Sequence, residues 1–456
     1  MSLRLLTIFI LSTTLVASLY SQDAPPLQTI EDFLKKEYTE DSPGAAVLIT
    51  KDDQVVFKKA FGLADVQKKK PITTNMIFQI GSMSKQFTSA AVLQLVEQGK
   101  VSLDDPIQKY VPYFPDKKYP ITIHHLLSQT SGIPEFFDID EKEMHLLSQE
   151  HTPEQLIAYY KDLPLEFEPG SQFQYSNSNY PLLGVVIEQV SGLSLKEYMR
   201  QNLFEPLQMT STSLWYTDDM KKKRIPKGYR IYQGELMPSP KVVGSVPYAA
   251  GAVVSSLDDL WIWNRELQDN SILSDFVIES LTTEKQTSAG SGTGYGYGFF
   301  INDLLGYSTI QHGGNMYGFT SYGLYLPAED LFVCILANKS LERVEEVANY
   351  LASVILNRPL EIEDRSQLAF AKYQEYFGTY QLQGDSKLIE IFMVDDVLVL
   401  DFPGAKGTGT RLTIIDTDQM ESKAVNASFQ FIRNDEGEVT GFTADQNGVT
   451  EWKKIE

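Results

Sequence analysis

The feature that most constrains this chain is a change of pattern part-way along it. Up to about residue 357, apolar runs of strand length are mixed with stretches of helical spacing. Beyond about residue 367 only short period-two runs remain, at 378–382, 387–393, 397–402, 411–415, 428–432, 439–443 and 450–454. Turn sequences such as Asn434-Asp435-Glu436-Gly437 and Gln446-Asn447-Gly448 separate them. Regularly spaced short strands predict a small all-β barrel or sandwich. The intervening segment carries Pro359 and the acids Glu361, Glu363 and Asp364, which suits a linker. The chain therefore reads as a mixed α/β (α+β) domain over 24–357, a linker over 358–367 and an all-β domain over 368–456.

Inside the first domain the spacing predicts a helix over 30–38 and strands at 45–49 and 54–57. A long helical region runs from Ser82 to beyond Pro206, Gly-rich strands lie between 295 and 337, and a closing helix covers 344–356. Strands at both ends flanking helices predict an antiparallel sheet built from the two termini, with a helical region inserted between them. The single cysteine, Cys334, sits in the apolar run Leu331-Phe332-Val333-Cys334-Ile335-Leu336 and reads as a buried strand residue, so no intrachain disulfide is available.

The first 21 residues read as a secretory signal. Arg4 precedes an apolar run of about a dozen residues and then the small and polar Ala17, Ser18 and Ser21. A run of that length is too short to span a bilayer, which needs roughly 20 residues. Cleavage and export are expected, with an uncleaved anchor as the alternative; no membrane span is expected in the mature chain. The formal net charge of −21 argues against nucleic acid, whose phosphates need a basic surface. The sequence leaves the oligomeric state open.

Three short motifs carry chemistry: Ser82-Met83-Ser84-Lys85, Tyr175-Ser176-Asn177 and His312-Gly313-Gly314. Ser82 and Lys85 share a face if a helix starts there, and Phe87, Ala91 and Leu95 continue at helical spacing to a stop at Gly99. A serine hydroxyl is a poor nucleophile until a base takes its proton. A lysine amine can be that base when burial disfavours its ammonium form. Tyr175 suits a proton relay, and Asn177 suits holding a substrate amide carbonyl. His312 with Gly313 and Gly314 suits a strand edge that a substrate backbone approaches. The backbone N–H of Asn315 suits an oxyanion donor. Each motif alone is weak; their uniqueness and order give them weight.

Together they resemble the motifs of the serine β-lactamases and D-Ala-D-Ala peptidases, in the class C β-lactamase and D-aminopeptidase/esterase branch. Neighbouring text agrees: Ile121-Thr122-Ile123-His124-His125-Leu126-Leu127-Ser128-Gln129-Thr130-Ser131-Gly132, Pro169-Gly170-Ser171 and Phe204-Glu205-Pro206-Leu207-Gln208-Met209. The resemblance covers about residues 30–355, and the C-terminal part is similar to the lipocalin-like domain that often follows this hydrolase domain. It implies a serine hydrolase acting on a small ester or peptide through an acyl-enzyme on Ser82. It implies Lys85 and Tyr175 as catalytic partners and Asn177, His312, Gly313, Gly314 and Asn315 at the substrate. Two positions depart from the family pattern. His312 stands where β-lactamases carry the lysine of Lys-Thr-Gly, which puts efficient β-lactamase activity in doubt. Gln129 replaces a common histidine and is expected to be structural.

No Gly-x-Ser-x-Gly elbow, His-Glu-x-x-His zinc site or phosphate loop is present, and no cofactor or metal is expected. The alternatives are a β-lactamase or D-Ala-D-Ala carboxypeptidase, or a non-catalytic penicillin-binding-like sensor.

Overall fold

The structure is a computed structural model that describes residues 27–135, 148–215, 225–232, 235–340, 342–362, 373–394, 397–401, 410–422, 427–445 and 448–455. The segment read as a secretory signal and the second half of the expected linker, 363–367, lie outside the described residues.

Six strands form one antiparallel sheet: β1 (Ala45–Lys51), β2 (Gln54–Phe61), β3 (Phe300–Leu304), β4 (Tyr307–Met316), β5 (Phe319–Leu326) and β6 (Leu331–Ala337). Their order is β3-β4-β5-β6-β1-β2, so the two ends of the domain meet where β6 pairs with β1. This is the sheet the sequence predicts. The β1–β2 turn places Asp52 and Asp53 at φ 50° and 57°, the left-handed pair that a two-residue hairpin loop requires.

Both faces of the sheet are covered. Ala46, Leu48, Cys334 and Leu336 face a large core shared with the helical region. Ala45, Val47, Ile49, Val333, Ile335 and Ala337 face a second core under helix α1 (Leu27–Glu37) and the closing helix Val344–Ile355. Alternate residues thus enter opposite cores, which is why β1 and β6 read as unbroken apolar runs. Cys334 is buried, as its surroundings in the sequence predict.

The expected long helical region is broken. Helix α2 (Ser84–Glu97) is followed by the short helices Ile123–Leu127 and Pro153–Ala158, then α3 (Asn179–Ser191) and Leu195–Met199. Pro106, Pro112, Pro115, Pro120, Pro134, Pro164 and Pro169 punctuate the connections and forbid a continuous helix. Helix α2 is buried from Ser84 through Leu93, with no polar face turned to water, as befits a helix at the centre of a domain.

The C-terminal strands are β7 (Gly378–Leu382), β8 (Leu388–Val394), β9 (Val397–Asp401), β10 (Thr410–Asp416), β11 (Gln419–Ser422), β12 (Ala427–Arg433), β13 (Val439–Asp445) and β14 (Val449–Lys454). They close into an eight-stranded barrel as β14 pairs with β7. All seven sequence-predicted runs coincide with strands; β11 is the eighth. The Phe442 ring lies 5.1–5.9 Å from the rings of Tyr380, Phe429, Phe431 and Trp452, so aromatic side chains fill the centre. At one end the Arg433 guanidinium bonds Asp418 at 2.8 Å and Glu375 at 2.7 Å and lies over the Tyr376 ring.

Candidate active site

The Ser82 segment leaves a short strand, Phe78–Gln79, which pairs with Val253–Ser255. It turns through a 3₁₀ helix, Gly81–Met83, and enters α2 at Ser84. Gly81 makes the turn at φ +50°, a conformation that costs glycine little. The middle serine of the motif is structural: Ser84 Oγ donates to the Gly81 carbonyl at 2.6 Å and accepts from the Val253 N–H at 2.9 Å. Ser82 stands just before the α-helix and remains partly exposed.

Lys85, one turn on, is 0 % exposed. Its Nζ bonds Ser82 Oγ at 3.1 Å, Asn177 Oδ1 at 2.7 Å and the Ala250 carbonyl at 3.0 Å, and lies over the Tyr175 and Tyr180 rings at 4.8 and 5.2 Å. Burial pulls its pKa down to about 7, partly offset by the charge of Glu135. Two of its three partners are carbonyl oxygens, which only accept. Ser82 alone among them can donate. When the ammonium gives up a proton, its two remaining N–H groups stay on the carbonyls and its lone pair faces the Ser82 hydroxyl.

The Tyr175 loop reaches the same point from the other side. Its phenol oxygen is buried without a hydrogen-bond partner among the described residues. Ser82 acts on it closely enough to favour the phenolate, though the contact stops short of hydrogen-bond geometry; burial outweighs this and pushes the Tyr175 pKa well above 10. The ring stacks on Phe300 at 5.9 Å and meets Tyr295 edge-on at 6.2 Å. Gln129 holds the loop from behind. It is buried at φ 60°, accepts from the Gln174 N–H through its carbonyl at 2.9 Å, and accepts from the Ser176 N–H and Asn179 Nδ2 through Oε1 at 3.0 and 2.5 Å. The structural role expected for Gln129 is this clamp.

The third motif behaves differently from its sequence reading. His312 is buried rather than open to a substrate. Nδ1 lies 2.6 Å from the Gly313 carbonyl, which can only accept, so Nδ1 carries the proton and Nε2 faces the Tyr295 hydroxyl at 3.4 Å. Burial first, and then the Lys85 charge, push its pKa down to about 3, so the ring is neutral. It packs 6.0 Å from the Tyr175 ring. A Cβ on Gly314 would sit 1.9 Å from the Ile80 carbonyl oxygen. The missing side chain therefore admits the protein's own Ile80–Ser82 segment rather than a substrate backbone, and Ser321 Oγ donates to the same Ile80 carbonyl at 2.8 Å. Asn315 has an exposed side chain, while its backbone nitrogen borders Gly81, 2.9 Å from where a Cβ there would lie. Gly313, between His312 and Gly314, is paired with Tyr322 of β5.

The fold thus brings Ser82, Lys85, Tyr175 and Asn177 together, with His312 behind the phenol and Asn315 beside the turn. Sequence reasoning missed Glu135, which accepts from the backbone N–H of Asn177 at 2.6 Å and from its Nδ2 at 3.1 Å. It also missed Ala250, whose contribution is a backbone carbonyl and leaves no mark in sequence.

The family described as Beta-lactamase matches residues 28–356. The chain belongs to that family. It is 30% identical over 322 residues to protein flp of Staphylococcus aureus (strain N315), covering 69% of this chain and 63% of flp. The chain thus spans less than two thirds of that relative's length. It is 25% identical over 402 residues to penicillin-binding protein 4* of Bacillus subtilis (strain 168), covering 83% of this chain and 87% of the relative. Among solved structures it is similar to the octameric penicillin-binding protein homologue from Pyrococcus abyssi, with a TM-score of 0.66 and 28% identity over 94% of this chain and all of that one. The likeness takes in the whole of the Pyrococcus chain, and so the barrel as well as the sheet and helices.

Proposed function

We propose that the chain is an exported hydrolase of small esters or amides, including short peptides and D-amino acid derivatives, that works through an acyl-enzyme on Ser82. The observation that carries this reading is the set of partners around Lys85: two obligate acceptors and one hydroxyl, so the neutral amine has a single group from which to take a proton.

In this reading neutral Lys85 removes the Ser82 proton as Oγ bonds the carbonyl carbon. The carbonyl oxygen becomes an oxyanion facing the backbone N–H groups of Ser82 and Asn315. Removing one such donor typically costs about 2.7–4 kcal/mol of transition-state stabilisation. Tyr175 is protonated at working pH, so it acts as a relay: its proton passes to the leaving group as it receives one from the Lys85 ammonium. In deacylation, water attacks the acyl carbon, its proton passes through the phenol to the amine, and Ser82 takes a proton as the acyl group leaves.

A neutral, buried His312 offers no cation to a substrate carboxylate, which favours neutral acyl groups over β-lactams or C-terminal D-Ala. The name of the Bacillus relative supports the second reading, a penicillin-reactive peptidase. Export rests on the N-terminal pattern of Arg4 and the apolar run that follows.

The test is a fluorophosphonate probe on the purified chain, followed by p-nitrophenyl esters, D-amino acid amides and a chromogenic cephalosporin. Labelling of the wild type but not Ser82→Ala, with ester or amide turnover exceeding cephalosporin turnover, is expected. An unlabelled wild type would leave a binding protein. Cephalosporin as the best substrate would leave a β-lactamase.

A further inference from the structure

We propose that Glu135 is a positioning residue for the reaction: by accepting hydrogen bonds from both nitrogens of Asn177, it turns the Asn177 carbonyl oxygen onto the Lys85 amine. This rests on the acyl-enzyme reading above.

An asparagine side chain can present either end of its amide, and the wrong end here would aim an NH₂ at the amine. A carboxylate accepts only. Glu135 Oε2 takes the Asn177 backbone N–H at 2.6 Å and Nδ2 at 3.1 Å, which leaves Oδ1 for Lys85 Nζ at 2.7 Å. The three residues form a line from carboxylate through amide to amine. Glu135 follows the turn Thr130-Ser131-Gly132, whose Ser131 Oγ donates to Asn179 Oδ1 at 2.6 Å, so the arm that carries it is itself tied to the start of α3.

The same carboxylate bears on the charge of Lys85. Among the described residues, the groups facing the amine are Ser82 from the turn, Tyr175 and Asn177 from their loop, Tyr180 from α3, the Ala250 carbonyl, His312 from β4 and Glu135 through Asn177. Burial holds both tyrosines protonated and the histidine neutral. Glu135 is the carboxylate among them, and its charge favours the ammonium against burial. Removing that charge therefore frees the neutral amine at lower pH.

The experiment measures the rate of fluorophosphonate labelling against pH on the full chain, for wild type, Glu135→Gln and Glu135→Ala, with Ser82→Ala as the blank. Wild-type labelling should rise with pH near 7. Glutamine keeps an oxygen that accepts from Asn177 but loses the charge. Its rise should move to lower pH by about half a unit or more, with a plateau within about threefold of wild type. Alanine should show the same displacement and a plateau lower by about tenfold or more, because the Asn177 amide is no longer held. A rise that stays in place in Glu135→Gln overturns the proposal whatever the plateau does, since a packing role lowers rates without moving the profile. A wild type that the probe does not label at Ser82 sinks the hydrolase reading first, and this inference with it.

Discussion

Two cations of this molecule sit in opposite circumstances. Arg433, at one end of the barrel, is 24 % exposed and grips two carboxylates directly, and these hold its pKa above the usual arginine value. Lys85 is 0 % exposed, bonds only neutral oxygens, and has its pKa drawn down to about 7. A cation with counter-ions at the surface stays charged and fastens one piece of chain to another. A cation with acceptors but no directly bonded counter-ion is poised to lose its proton, which is what a base must do. The difference lies first in the burial of Lys85 and then in who the neighbours are, rather than in the number of bonds.

The sharpest way to break that contrast is Ser82→Ala, which removes the one partner able to donate to Lys85. Turnover should fall by about 10³-fold or more, measured as kcat on whichever ester proves best. Tyr175→Phe comes next. It keeps the stacking on Phe300 but removes the relay, and kcat should fall by about 10²- to 10⁴-fold; a loss below tenfold would return the phenol to a packing role.

A third prediction reads the Lys85 proton through stability. The folded pKa is below the unfolded value, so between about pH 7 and pH 10 the unfolded chain holds a proton that the native state has released. Unfolding free energy should therefore rise with pH across that window, by up to about 1.4 kcal/mol per unit. The buried tyrosines act in the opposite sense above pH 10. Lys85→Met should flatten the rise in urea titrations at pH 7, 8 and 9, and an unchanged slope would mean that Lys85 stays charged. The smallest effect is Arg433→Met. It should destabilise the barrel by about 1–2 kcal/mol, given screening at a partly exposed site. Hydrogen exchange over 427–445 should report the loss, while Ser82 labelling keeps its rate.

Much of this was legible in sequence, for reasons particular residues make plain. The barrel strands announce themselves by alternation, and Gln419–Ser422 escapes because Met420 is its single apolar residue. The sheet shows because β6 is apolar throughout and β1 is apolar from Ala45 to Ile49. The helical region misleads: apolar content was visible, but its prolines decide where helix is possible. In the site, Ser82, Lys85, Tyr175 and Asn177 carry side chains whose chemistry identifies them. The Ala250 carbonyl has no such mark, and Glu135 looks like any surface acid until the fold brings it to Asn177, 42 residues away. His312 reads as a ligand group from its motif, and only its burial against Tyr295 shows a ring that is spoken for.

The aromatic filling of the barrel bears on what the C-terminal region is for. Among the described residues Tyr380, Phe429, Phe431, Phe442 and Trp452 pack against one another, so aromatic rings take up interior space that hollow eight-stranded barrels can leave to a small molecule. That filling directs the search for the region's role to its rims and its outward-facing side chains.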